Sequence, residues 1–126
     1  MRLFYAIIII ALSSATGFAQ EAEFSIRKSV YKFPKTNEGV LLTHDFEVVN
    51  TGEEPLIIKD YKVGCSCTKL SIPSDPVLPG DTVLLTATFD TNGKYFFQDR
   101  IITVFTNTKK GAHQLRLKVS VVPKER

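Results

Sequence analysis

The chain has 126 residues, and its 16 Lys and Arg against 13 Asp and Glu leave a formal net charge of only +3. Both signs are interspersed, so the concentrated basic face that nucleic acid requires is absent from the pattern. With no internal repeat and no low-complexity linker, this length and composition describe one ordinary domain built around a single core.

The first residues read as an export leader. Arg2 supplies a short positive start, Leu3 to Leu12 is an uncharged apolar run, and Gly17-Phe18-Ala19 places small residues ahead of a cut before Gln20. The apolar run is shorter than the roughly 20 residues a membrane span needs. An uncleaved anchor is the alternative, and no cysteine follows the cut to suggest a lipoprotein. Residues 1–19 are therefore expected to be a signal peptide and residues 20–126 the mature domain. Taking 19 from 126 leaves 107 residues, and losing Arg2 lowers the charge from +3 to +2. No second apolar stretch follows, so no membrane span is expected after cleavage, and the destination is periplasmic or secreted.

From Phe24 onward the pattern is that of strands. Ser25 to Phe33 is a mixed stretch in which Ile26, Val30, Tyr31 and Phe33 can pack. Leu42, His44, Phe46 and Val48 alternate with Thr43, Asp45 and Glu47, which is the period of a half-buried strand. Asn50-Thr51-Gly52 supplies a turn, and Leu56-Ile57-Ile58 starts a strand that reaches the cysteines. Pro73, Pro76 and Pro79 then make Ile72 to Gly80 a loop or sheet edge, with Pro79-Gly80 at the centre of a type II turn.

Val83, Leu85, Ala87 and Phe89 form one face of the next strand, and Asn92-Gly93 is a turn pair. Ile102, Val104 and Thr106 oppose Ile101, Thr103 and Phe105. Leu115, Leu117, Val119 and Val121 mark the last strand before a polar end at Pro123 to Arg126. About seven short strands with regular turns indicate an all-β, immunoglobulin-like sandwich, and the lack of helical crossovers argues for antiparallel pairing. Phe46, Leu85, Phe89, Val104, Leu117 and Val119 are the expected core.

Several motifs now fall in order: Phe46-x-Val48-x-Asn50-Thr51-Gly52, Pro55-Leu56-Ile57-Ile58, Cys65-Ser66-Cys67-Thr68, Pro79-Gly80, Phe89-Asp90 and Ile102 to Asn107. Together they resemble the bacterial domain-of-unknown-function family 1573, whose hallmark is Ser-Cys-Gly-Cys-Thr after a Pro-Leu-x-Ile strand. The resemblance implies an immunoglobulin-like sandwich related to the Hydin and major-sperm-protein domains, and export to a Gram-negative envelope. It supplies no reaction. This chain departs from the hallmark at Gly64, where the family has Ser, and at Ser66, where it has Gly. A glycine expected shortly before the penultimate strand is also missing around Tyr95-Phe96-Phe97.

Cys65 and Cys67 are the only cysteines, one residue apart. In an extended strand their Cα atoms would be roughly 6.6 Å apart. That is the limit of what a disulfide spans, so a bridge needs a bend or bulge. An oxidising envelope favours such a bridge, which makes the pair a disulfide candidate. Two thiolates on one face could instead hold copper or zinc, and the pair is the sole metal candidate. Thiol redox chemistry usually needs Cys-x-x-Cys at a helix tip, which is not present.

His44 reads as a rim residue of its strand, His113 as a solvated turn residue, and Asp90 as a capping or turn residue. Tyr95-Phe96-Phe97 reads as core packing at a strand start, with an exposed anchor as the alternative. No catalytic set and no cofactor site emerges. The chain reads as a non-catalytic exported module, structural or bound to an envelope protein through free strand edges; metal handling or thiol redox at Cys65 and Cys67 is the alternative. Oligomeric state is not written in the pattern.

Overall fold

A computed structural model describes residues 20–125. The signal-peptide assignment of residues 1–19 lies outside the described residues. Nine strands and no helix are found among them, in two facing sheets: β1 (Phe24–Ile26), β2 (Val30–Lys32), β3 (Thr36–Asn37), β4 (Leu41–Asn50), β5 (Ile58–Val63), β6 (Thr68–Ser71), β7 (Thr82–Asp90), β8 (Phe96–Thr106) and β9 (Ala112–Val122). One sheet runs β1-β4-β7-β6; the other runs β2-β9-β8-β5, with β3 also beside β9. No helix here is long and apolar enough to cross a membrane.

The long central strands are those the alternation predicts, because an inward apolar residue at every second position leaves one register that buries them all. Phe46, Val48, Leu85, Ala87, Phe89, Ile102, Val104, Leu115, Leu117 and Val119 are at most 1% exposed. All six expected core residues are among them. Each buried large side chain contributes roughly 1.5–3 kcal/mol before entropy is counted.

The edges depart from expectation. The mixed Ser25–Phe33 stretch resolves into two strands: β1 pairs with β4, the chain bends at residues 27–29, and β2 joins the opposite sheet. The bend turns Val30 outward, at 38% exposure, while Phe33 is buried. β2 and β3 pair with β9 in parallel, so the second sheet is mixed, not wholly antiparallel. Parallel neighbours need a crossover, and nearly the whole domain separates β3 from β9 and provides it without a helix. β6 and β3 are too short to show a period.

The turns follow their residue chemistry. Gly80 has φ 82° and the Asp81 amide donates to Leu78 O at 2.9 Å, which seats Pro79-Gly80 at the turn centre. Asn50 closes β4 from inside. It is fully buried, its Oδ1 accepts from the amides of Glu23 and Gly52, and its Nδ2 donates to Glu54 O at 2.7 Å and Val77 O at 2.9 Å. One amide side chain thus ties the N-terminal segment, the Thr51-Gly52 turn and the proline loop together. Asn107 does the same at another corner, accepting from Ile57 N and donating to Pro55 O.

Candidate functional site

Two features stand apart from the packing: the cysteine corner and an aromatic tip. The corner is the link between β5 and β6, which are edge strands of opposite sheets. The chain must turn from one layer to the other there, and this turn brings the Cys65 and Cys67 Cα atoms to 5.1 Å. The sulfurs sit at disulfide distance, 2.07 Å apart. The bend that an extended strand lacks is therefore supplied by the layer change.

Thr68 N donates to Cys65 O, and Asp90 N donates to Cys67 O at 2.9 Å, which seats the corner on the end of β7. Cys67 N lies 3.1 Å from Cys65 Sγ and donates to it. Cys67 is packed against the core, whereas Cys65 lines a concavity of about 220 Å³ with Gly64, Thr68, Asp99, Arg100 and Ile101. The departures from the family hallmark are harmless here. Gly64 has open space where a Cβ would stand, and Ser66 is not in the left-handed region.

Arg100 is a charged residue on the inward face of β8, two positions before Ile102. Its guanidinium lies 5.3 Å from the centre of the Phe89 ring, and its Nη2 donates to Gln98 Oε1. Its Nε is buried without a partner. On the outer face Asp99 is paired with Arg116. The inward parity of Arg100 follows in the sequence itself from the alternation of Ile102 and Val104.

The other candidates are scattered. His44 stacks on Tyr31 with ring centres 3.7 Å apart and meets Phe46 edge-on. It is the half-buried rim residue expected of its strand. His113 is not a solvated turn residue: it lies in β9, stacks on Phe24 at 4.2 Å, and places Nε2 2.9 Å from Thr108 Oγ1 and 3.2 Å from Thr106 Oγ1. The turn ends at Gly111, and the strand begins at Ala112, ahead of His113. Burial is the main cause holding both histidines below their ordinary pKa; Lys110 adds to it at His113, and Asp45 opposes it at His44. Asp90 Oδ1 accepts from Asn92 N, the turn role expected of it. Neither histidine contacts the cysteine corner in these interactions. Among the described residues no group of three or more His, Cys, Asp or Glu is arranged to hold a metal.

The aromatic tip reverses the reading of Tyr95-Phe96-Phe97 as core. Tyr95 is 40%, Phe96 71% and Phe97 57% exposed. Phe96 has φ 64°, the left-handed region, and it is the one non-glycine there among the described residues. A glycine is what that backbone calls for, and this is the place where the family's glycine is missing. The chain keeps the turn and hangs a ring on it. Val40, Leu41 and Val122 are also exposed. Their segments meet at this end: Glu38 N donates to Val122 O, Glu38 carboxylate oxygens accept from Gly93 N and Lys124 N, and Thr91 N donates to Val40 O.

Two layers of this topology, closed on one apolar core, are those of an immunoglobulin-like or PapD-like β-sandwich. An uncharacterised protein of Porphyromonas gingivalis W83 superposes with a TM-score of 0.71 at 15% identity, over 84% of this chain and 50% of that one. The PapD-like domain 7 of human CEP192 superposes at 0.58 with 16% identity, over 84% and 88%. The VesB protease of Vibrio cholerae gives 0.59 at 8% identity, over 81% and 32%. These likenesses define the fold. The chain spans half the length of the Porphyromonas protein, and no curated protein matches it. The family model described as a protein of unknown function, DUF1573, matches residues 24–121, and the chain belongs to that family.

Proposed function

We propose that this domain is exported to the bacterial cell envelope, periplasmic or secreted, and acts there as a non-catalytic binding module. Its contact with a partner protein is made by the aromatic tip. The observation that carries this reading is Phe96: an exposed ring held in a backbone conformation that costs a non-glycine residue about 1–2 kcal/mol. Strain of that kind persists where something other than stability selects it. Exposed aromatic rings are also the usual anchors of protein interfaces, since they contribute much area at low entropy cost.

Strand addition at the free edges is the weaker route. β5 carries a register shift between Ile58 and Asp60 and presents Lys59 and Lys62, and β6 has four residues before the chain runs into Pro73. Bulges, lysines and short length are the devices that keep edges unpaired.

The test is a photoreactive phenylalanine analogue at position 96, activated in intact cells, with the same analogue at Lys62 as control. A discrete adduct at 96 and none at 62 is the expected result. Equal labelling, or no adduct at 96, sinks the tip as the contact surface.

A further inference from the structure

We infer that Cys65 and Cys67 form a thiol–disulfide exchange site, in which Cys65 is the sulfur that meets an external thiol and Cys67 the sulfur that leaves and resolves. The inference is independent of the aromatic tip, which lies elsewhere on β8. It rests on the asymmetry of the corner. Cys65 opens on the concavity beside Arg100, while Cys67 packs against the core and its carbonyl is bound by Asp90 N. Both cysteines are half-buried, and Cys65 is the one that lines the concavity through which an incoming thiolate can approach.

The corner also supplies what a thiolate at Cys65 needs. Cys67 N–H already points at Cys65 Sγ, and the Arg100 cation lines the same concavity. Those are the two aids that a helix tip ordinarily provides, a backbone donor and positive charge, here without a helix. Asp99 shares the wall, and its carboxylate is taken by Arg116. The bridge closes so short a loop that it constrains the unfolded chain little, so opening it leaves the fold intact.

The co-reactant is a thiol, either a small one such as glutathione or a cysteine pair of another exported protein. Its thiolate attacks Cys65 Sγ and forms the mixed disulfide. The bond between Cys65 and Cys67 breaks, and its electron pair leaves on Cys67, which takes a proton from water. A second external thiolate attacks the external sulfur and releases Cys65 as thiolate. Two thiols have then become one disulfide, and the pair has become two thiols. The reverse sequence starts from the Cys65 thiolate, with Cys67 resolving.

Native full-length protein purified from its host would be treated with limiting reduced glutathione without denaturant, quenched in acid, and mapped by fragment mass. The expected result is glutathione on Cys65 in preference to Cys67 by at least about tenfold. Arg100→Gln should slow adduct formation several-fold while thermal melting of the folded form shifts little. Glutathione on Cys67, equal labelling of both, or a bridge that yields only at denaturant concentrations where the fold is lost would each overturn the proposal. The single variants Cys67→Ser and Cys65→Ser, reacted with oxidised glutathione, provide a second reading. The lone Cys65 should react at least about tenfold faster than the lone Cys67, and the opposite order refutes the assignment.

Discussion

A residue with a φ of 64° and 71% of its surface in water contributes little to the core, so Phe96 can be exchanged for the glycine its backbone suits. The expected outcome for Phe96→Gly is unchanged stability or a gain of up to about 1 kcal/mol in chemical denaturation, because relief of the left-handed strain outweighs the added freedom of the unfolded chain. Partner capture at the tip should be lost in the same variant. A loss of more than about 1 kcal/mol would show that the ring is structural after all. Asn50 is the opposite kind of residue. Its side chain satisfies four backbone groups inside the protein, so Asn50→Ala leaves buried donors and acceptors bare and should cost on the order of 2–4 kcal/mol. Denaturation midpoints compared with Thr51→Ala, whose hydroxyl reaches only an exposed Glu23 carboxylate, separate this role from a general effect at the turn.

At the scale of elements, β4 and β9 each carry a histidine whose pKa is held below its ordinary 6.5, chiefly by burial against Tyr31 and Phe24 respectively. The folded chain then binds fewer protons than the unfolded one once pH falls below about 6.5. Stability is fully present above that value and declines as pH drops from it toward the lower folded values. Proton-resonance titration should place both midpoints below 6.5, and Phe24→Ala should move the His113 midpoint upward by exposing the ring. A midpoint at or above 6.5 in the native protein would contradict the packing. The long strands β4, β7, β8 and β9 could be read from alternation because burial on one face dictates residue type at every second position. β3 and β6 could not, since two to four residues hold no period. The tip was misread because three aromatics in sequence look like core until the backbone angle at Phe96 turns them out. The cysteine corner was placed correctly at a strand end, but its two unlike sulfurs appear only when β5 and β6 are assigned to different layers.

For the molecule as a whole, the N-terminal segment is tied into the fold from Glu21 onward. Ala22 is 4% exposed, Glu21 O accepts from Glu53 N at 2.9 Å, and Glu23 N is bound by Asn50 Oδ1. The segment lies so close to Gly52 that a Cβ there would fall 2.1 Å from Glu21 O and 2.7 Å from Glu23 N. A cut before Gln20 leaves one residue ahead of this clamp, whereas a cut after Glu23 would strip the clamp and uncover the turn. On the proposed export reading, the intact mass of the mature protein should correspond to a start at Gln20, which keeps this clamp whole. Gly52→Ala should force residues 21–23 off the turn, since the obstructing atoms are backbone and cannot rotate away. A loss on the order of 2 kcal/mol or more is expected, with early proteolytic trimming of the N-terminus. A mass matching Met1 would end the cleavage reading and leave the clamp standing. A Gly52→Ala variant as stable and as protease-resistant as the parent would remove the clamp and leave export untouched.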